Sequence, residues 1–336
     1  AVACPQVMAC PYVFVLDDAE EAGYFYHDLT QILGEQEVFY FPSSFRRAVK
    51  FGQRDAANEI LRTEVISRLS AGHRPLFVVT YPEAVMEKVV SRQKLDEQTL
   101  RLHAGERVDI TFVEETLRAF GFRRVDYVYE PGQFAVRGSI LDVFSFSSEW
   151  PYRVDFFGDE VDSIRTFEVQ TQLSRDKQEE IVIVPELAGY VQGKVPFTDF
   201  LPPETVLVMK DLFFLRDVAD RVYADGFSAQ ALMDEQARTE MEEAERHEKL
   251  RADLMLVDGS ALMKGMLDFR RVEVGNKPSA TPQATVRFHL TAQPIFHKNF
   301  ELVTRTFHEY LEKGYTLYIW ADSAHQNHLV SSILQE

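Results

Sequence analysis

In Tyr152 to Phe157 successive side chains point to opposite faces of a strand, so Tyr152, Val154 and Phe156 form an apolar set and Arg153, Asp155 and Phe157 the opposing one. The second set offers a guanidinium, a carboxylate and a ring to whatever lies outside. The same arithmetic turns Phe134 and Val136 one way and Arg137 the other, just before Gly138, where a missing Cβ permits a bulge or a close approach. Gly158-Asp159 suits a two-residue hairpin loop. Arg137, Arg153 and Phe157 then cluster on one open sheet face. Arg and aromatic residues dominate the hot spots of protein interfaces, which makes this a docking patch. Alternatively, Phe157 tucks under a neighbouring loop and both arginines only pair with Asp142, Asp155 or Asp159, worth about 1 kcal/mol or less if exposed. The residues themselves leave both readings open.

Other candidate chemistry resolves more simply. Asp17-Asp18 closes a strand-like run as a magnesium-binding carboxylate would, yet Asp18 also stands where the next helix begins and is expected to cap it. No G-x-x-x-x-G-K-[ST] phosphate cradle occurs, and Gly193-Lys194 is followed by Val195. The nine histidines are scattered; His325 and His328 share a helical spacing but lack a third ligand, and Cys4 and Cys10 have no Cys or His cluster beside them. Catalytic, cofactor and metal residues are therefore expected to be absent. Phe45 to Arg54 interleaves four cations with aromatics, a pattern that grips nucleic acid; a solvated loop is the simpler expectation. Asp234 to Asp253, with eight acids and four bases, reads as a solvated helix.

The elements that must position these residues follow from texture. Strand-like and helix-like runs alternate at first: Tyr12 to Leu16, a helix over Ala19 to Leu33, Glu37 to Phe41, a helix over Asp55 to Leu69, and Pro75 to Thr80, which predicts a parallel, helix-covered sheet. A short helix over Glu115 to Ala119 then gives way to strand runs at Phe122 to Tyr129, Gln133 to Phe146, Tyr152 to Phe157 and Glu160 to Gln170, a small antiparallel domain over residues 101–178. Beyond the charged stretch 174–180 the α/β texture returns, with Thr205 to Met209, helices over Leu212 to Tyr223, Ser228 to Ala252 and Asn299 to Lys313, and a strand over Tyr315 to Trp320. Residues 1–100 and 179–336 thus flank a β-rich insert.

A net charge of −17, with no basic portion, argues against autonomous tight binding to phosphates. The opening stretch lacks the basic start of a signal peptide, and no apolar run approaches the roughly 20 residues of a membrane span. A cytoplasmic piece of a longer protein is expected.

The motif Gly132-x-Phe134-x-x-Arg137-Gly138-x-x-x-Asp142-x-Phe144, followed by Pro151-Tyr152-Arg153-x-Asp155-Phe156-Phe157-x-Asp159-Glu160-x-Asp162-Ser163, resembles the second domain shared by UvrB of nucleotide excision repair and the bacterial transcription-repair coupling factors (the Mfd family). The resemblance is dense over these residues and weaker elsewhere, as in Asp55 to Arg62. It implies a split parallel-sheet domain, P-loop-NTPase-like but degenerate, with an inserted small antiparallel β-rich α+β domain. It further implies that this insert binds UvrA, the repair subunit recruited to a stalled RNA polymerase, through Arg137, Arg153 and Phe157. No cofactor is expected in this fragment. ATP and Mg, double-stranded DNA and RNA polymerase would belong to other domains of the parent, and an intramolecular contact with a C-terminal domain is a further possibility. UvrB carries a tyrosine-rich DNA-threading hairpin before the helix near Asp55; here Phe39 to Phe45 and the basic stretch fill that space. Two other expectations stand beside docking: a UvrB-type ATPase fragment that has lost its nucleotide loop, and a nucleic-acid-binding platform. For docking, Arg153→Ala and Phe157→Ala are both expected to weaken UvrA binding without changing the melting temperature.

Overall fold

A computed structural model describes residues 10–44, 55–72, 75–187, 193–225, 256–275, 278–289, 295–296 and 299–318. The chain divides into two compact units, Ala1–Thr281 and Pro282–Glu336. The first begins with the expected alternation of β1 (Pro11–Val15), α1 (Ala19–Leu33), β2 (Val38–Tyr40), α2 (Ala56–Ala71) and β3 (Leu76–Thr80). There follow α3 (Pro82–Val85), β4 (Val89–Val90), α4 (Arg92–Glu97), β5 (Leu100–His103) and α5 (Ile110–Ala119). Next come β6 (Arg123–Arg124), β7 (Gln133–Arg137), β8 (Ile140–Val143), β9 (Tyr152–Phe157), β10 (Glu160–Phe167), β11 (Ser174–Gln178) and β12 (Glu180–Ile183). The unit closes with β13 (Lys194–Val195), α6 (Phe197–Phe200), β14 (Val206–Met209), α7 (Leu212–Asp225), α8 (Gly259–Leu267) and β15 (Arg270–Glu273).

Strands from both flanks of the insert build one parallel sheet in the order β15-β14-β1-β3-β2. Every residue of β3 is buried, as expected where helices cover both faces of a parallel sheet. The fold is therefore α/β, with its parallel sheet split by the sheet β11-β10-β9-β8-β7-β6, which is antiparallel except for the short parallel edge pair β6–β7. Asp18 caps α1, its Oδ1 accepting from Glu20 N and Glu21 N at 2.9 Å. Asp17 accepts from Lys210 Nζ at 3.0 Å, and Lys210 also reaches Glu21. These charges stand beyond the carboxyl ends of β1 and β14, where the strand order reverses and open α/β sheets bind ligands.

Two expectations need correcting, and one strand goes unannounced by the sequence. Gln133 to Phe146 is not one run but a hairpin, because Arg137 pairs with Ile140 and Gly138, at φ 63°, starts the turn; it is a turn residue and not a bulge. Of Phe122 to Tyr129 only Arg123–Arg124 joins the sheet. The charged Ser174–Gln178 forms β11, an exposed edge strand; an edge needs backbone partners on one side only, and its charges discourage a second.

In the second unit α9 (Phe300–Glu312) starts at Asn299, whose Oδ1 accepts from Leu302 N at 3.0 Å, and none of its residues is buried. Residues 315–318 do not form the expected strand. Cys4, the basic stretch 45–54, the whole polar helix expected over 228–252 and the His325/His328 pair lie outside the described residues. Among the described residues no helix is long and apolar enough to cross a membrane.

Candidate docking face

The antiparallel sheet buries one face against α5. Phe134, Leu141, Val143, Val154, Phe156, Val161 and Ile164 pack with Val113 and Leu117 of that helix. Strand alternation then forces Arg137, Asp142, Arg153, Asp155 and Phe157 onto the other face. One end of this outer face is closed by a smaller cluster of Val128, Ala135, Phe144 and Phe167. The other end remains open.

Register brings the charged residues together. Asp142 in β8 lies opposite Ala135 of β7 on one side and Arg153 of β9 on the other, while Ile140 faces Asp155. The Asp142 side chain is 0% exposed. Arg153 grips it with both prongs, Nε to Oδ1 at 2.7 Å and Nη2 to Oδ2 at 2.8 Å. Arg137 Nη2 donates to the same Oδ2, and its Nη1 donates to the Asp126 carbonyl at 2.9 Å. Arg153 Nη1 also donates to the Gln172 carbonyl at 3.0 Å. Hydrogen bonding to Asp142 raises the Arg153 pKa above the ordinary arginine value, so its charge is fixed.

Both guanidiniums also rest on rings: Arg153 lies 4.5 Å from the Phe167 centroid and Arg137 5.0 Å from that of Tyr127. Arg137 keeps 35% of its side chain exposed and Arg153 14%. Phe157, beside the Gly158-Asp159 loop, is 83% exposed. The ion-pair alternative is thus correct for the arginines as far as Asp142 is concerned. It fails for Phe157, which no loop among the described residues covers.

Three neighbours escaped sequence reasoning. Tyr127, 52% exposed, sits in a stretch read as strand. Gln172 lies in a loop at φ 59°, a conformation no pattern announces. Arg165 pairs in register with Arg153 and donates through Nη2 to Asp155. Strict alternation from the buried Val161 places Arg165 in the core, but a bulge between Val161 and Ser163 flips the phase and returns it to the outer face. The Gly-poor sequence around Asp162 gives no sign of that bulge.

Residues 100–188 match the family model of the UvrB interaction domain. That span encloses the whole antiparallel sheet and the β5–β12 pair. A transcription-repair-coupling factor of Haemophilus influenzae is 33% identical over 162 residues, covering 47% of this chain and 14% of the relative. Its Escherichia coli counterpart is 35% identical over 124 residues, 37% of this chain and 11% of that protein. The chain carries a UvrB-homology region of the transcription-repair-coupling-factor kind. The coupling factor of Bacillus subtilis is matched over 50% of this chain at 27% identity, and over 15% of its own length. The alignments thus cover about one seventh of these coupling factors, or less.

Proposed function

We propose that this region of a coupling factor recruits UvrA through the outer face of its antiparallel sheet, with Arg137, Arg153 and Phe157 at the contact. The observation that carries the proposal is the 83% exposure of Phe157 on the face that also holds the two arginines. An exposed phenylalanine costs solubility and contributes little to the fold, whereas a ring beside guanidiniums is a common interface anchor. The match to a UvrB interaction domain over residues 100–188 supports it.

In this proposal residues 101–178 form the docking domain, and the flanking portions, 1–100 and 179–336, form its scaffold. The scaffold would be a P-loop-NTPase-like sheet that no longer binds nucleotide. The missing G-x-x-x-x-G-K-[ST] supports this, as does the Asp17–Lys210–Glu21 cluster at the position where such sheets take a ligand. ATP hydrolysis with Mg, movement on double-stranded DNA and binding of RNA polymerase would lie in other parts of the parent, bringing UvrA to a stalled polymerase.

Titration of the chain with purified UvrA tests the proposal. Saturable binding that Phe157→Ala weakens supports it; binding unaltered in variants of both Arg153 and Phe157 would remove it.

A further inference from the structure

The docking face contains one charged residue that no partner can reach. Asp142 is fully buried, yet it organises both arginines: Arg153 of β9 engages its two oxygens and Arg137 of β7 shares one of them. We propose that Asp142 is the positioning residue of this surface, holding Arg137 and Arg153 in a fixed arrangement before UvrA arrives. The inference rests on the docking function proposed above and adds to it a residue that acts without touching the partner.

Stability alone does not call for such a group. Buried ion pairs and triads are often replaced by well-packed apolar side chains at no loss, so an aspartate between two arginines is weak evidence of a stabilising role. The rest of the surroundings instead serve orientation. Gln172 adopts φ 59° without being a glycine, and in that backbone its carbonyl takes the one Arg153 nitrogen left over from the bidentate pair. Its Nε2 donates to the Val169 and Val128 carbonyls at 2.7 and 3.3 Å, pinning the loop, while its own Oε1 is buried without a hydrogen-bond partner among the described residues. A strained backbone and an unsatisfied oxygen are tolerated where a functional geometry is being held. Phe167 and Tyr127 support the two guanidinium planes. The arginines therefore surrender their rotamer freedom in the free protein, and binding need not order them again.

The test uses the full 336-residue chain and purified UvrA, comparing wild type, Asp142→Asn, Arg153→Met and the double variant. Asn keeps the size of the side chain and one acceptor but removes the charge. Asp142→Asn is expected to weaken binding by about tenfold or more, and the loss in the double variant to be smaller than the product of the two single losses, because Asp142 acts partly through Arg153 and partly through Arg137. Binding by Asp142→Asn within about twofold of wild type, or losses that simply multiply in the double variant, would overturn the role of Asp142. Wild-type chain that does not bind UvrA would overturn the docking function itself, a distinguishable result. Should Asp142→Asn fail to fold, Nε relaxation of the arginines in the free wild type decides: Arg153 is expected to be as ordered as the backbone, and motion as large as that of the 68%-exposed Arg123 would contradict the proposal.

Discussion

Arg153 and Asp142 lie directly opposite one another on adjacent strands and are joined by two parallel N–H···O bonds of 2.7 and 2.8 Å. The pair couples a surface meant for a partner to the interior of the sheet. It also changes what mutagenesis of that surface should show.

Arg153→Ala should weaken UvrA binding and also destabilise the fold, against the sequence-based expectation of an unchanged melting temperature. It leaves the buried Asp142 with Arg137 as its remaining arginine partner. Breaking a buried pair from one side costs on the order of 3 kcal/mol, and Arg137 should reduce that. Denaturant unfolding followed by circular dichroism measures it, and a midpoint equal to wild type would show that Asp142 needs Arg137 alone.

The surrounding surface yields a contrasting case. Tyr127 is half exposed under Arg137, so Tyr127→Ala removes a support and a contact at once. Binding should fall by roughly 1 kcal/mol, with stability altered by no more than about 0.5 kcal/mol. Calorimetric titration against UvrA reads the first and thermal melting the second.

Two glycines should respond in opposite directions. Gly259 opens α8 against α7, and an added Cβ would lie 2.3 Å from the Arg216 carbonyl oxygen, so Gly259→Ala should destabilise by about 1–3 kcal/mol. Gly23 lies inside α1 with open space around it, so Gly23→Ala should stabilise by up to about 1 kcal/mol. Chemical denaturation of both variants checks the sign of each change.

Glu64 of α2 supplies a pH signature. Burial raises its pKa above the ordinary 4.5 despite its pairing with Arg68 at 3.0 Å. The folded state thus holds the proton more tightly than the unfolded state. Its contribution to stability is complete below pH 4.5 and is lost as pH rises through the folded pKa. Glu64→Gln should flatten this part of the stability–pH curve, and unfolding midpoints measured from pH 4 to 7 would show an unchanged slope if burial of Glu64 were unimportant.

What was legible in the sequence was what local pattern controls. Four- to six-residue apolar runs separated by helix-length segments gave β1, β2 and β3, and Asp18 announced its cap by standing before α1. Period-2 alternation put Arg153 and Phe157 on the outer face. Long-range pairing stayed hidden: β5 meets β12 across residues 100–183, and neither run declares its partner. Ser174–Gln178 is charged and still forms a strand, because β10 supplies its hydrogen bonds. Asp142 stood among three candidate carboxylates for the arginines. Only the β7–β8–β9 register selects it, and only burial reveals that it faces no solvent.

The docking function is tested most directly by titrating UvrA against wild type and Phe157→Ala. The ring is 83% exposed, so its loss should leave the fold within about 0.5 kcal/mol of wild type while binding falls by on the order of 2 kcal/mol. Equal affinities for the two proteins, both folded, would contradict a docking face centred on Phe157.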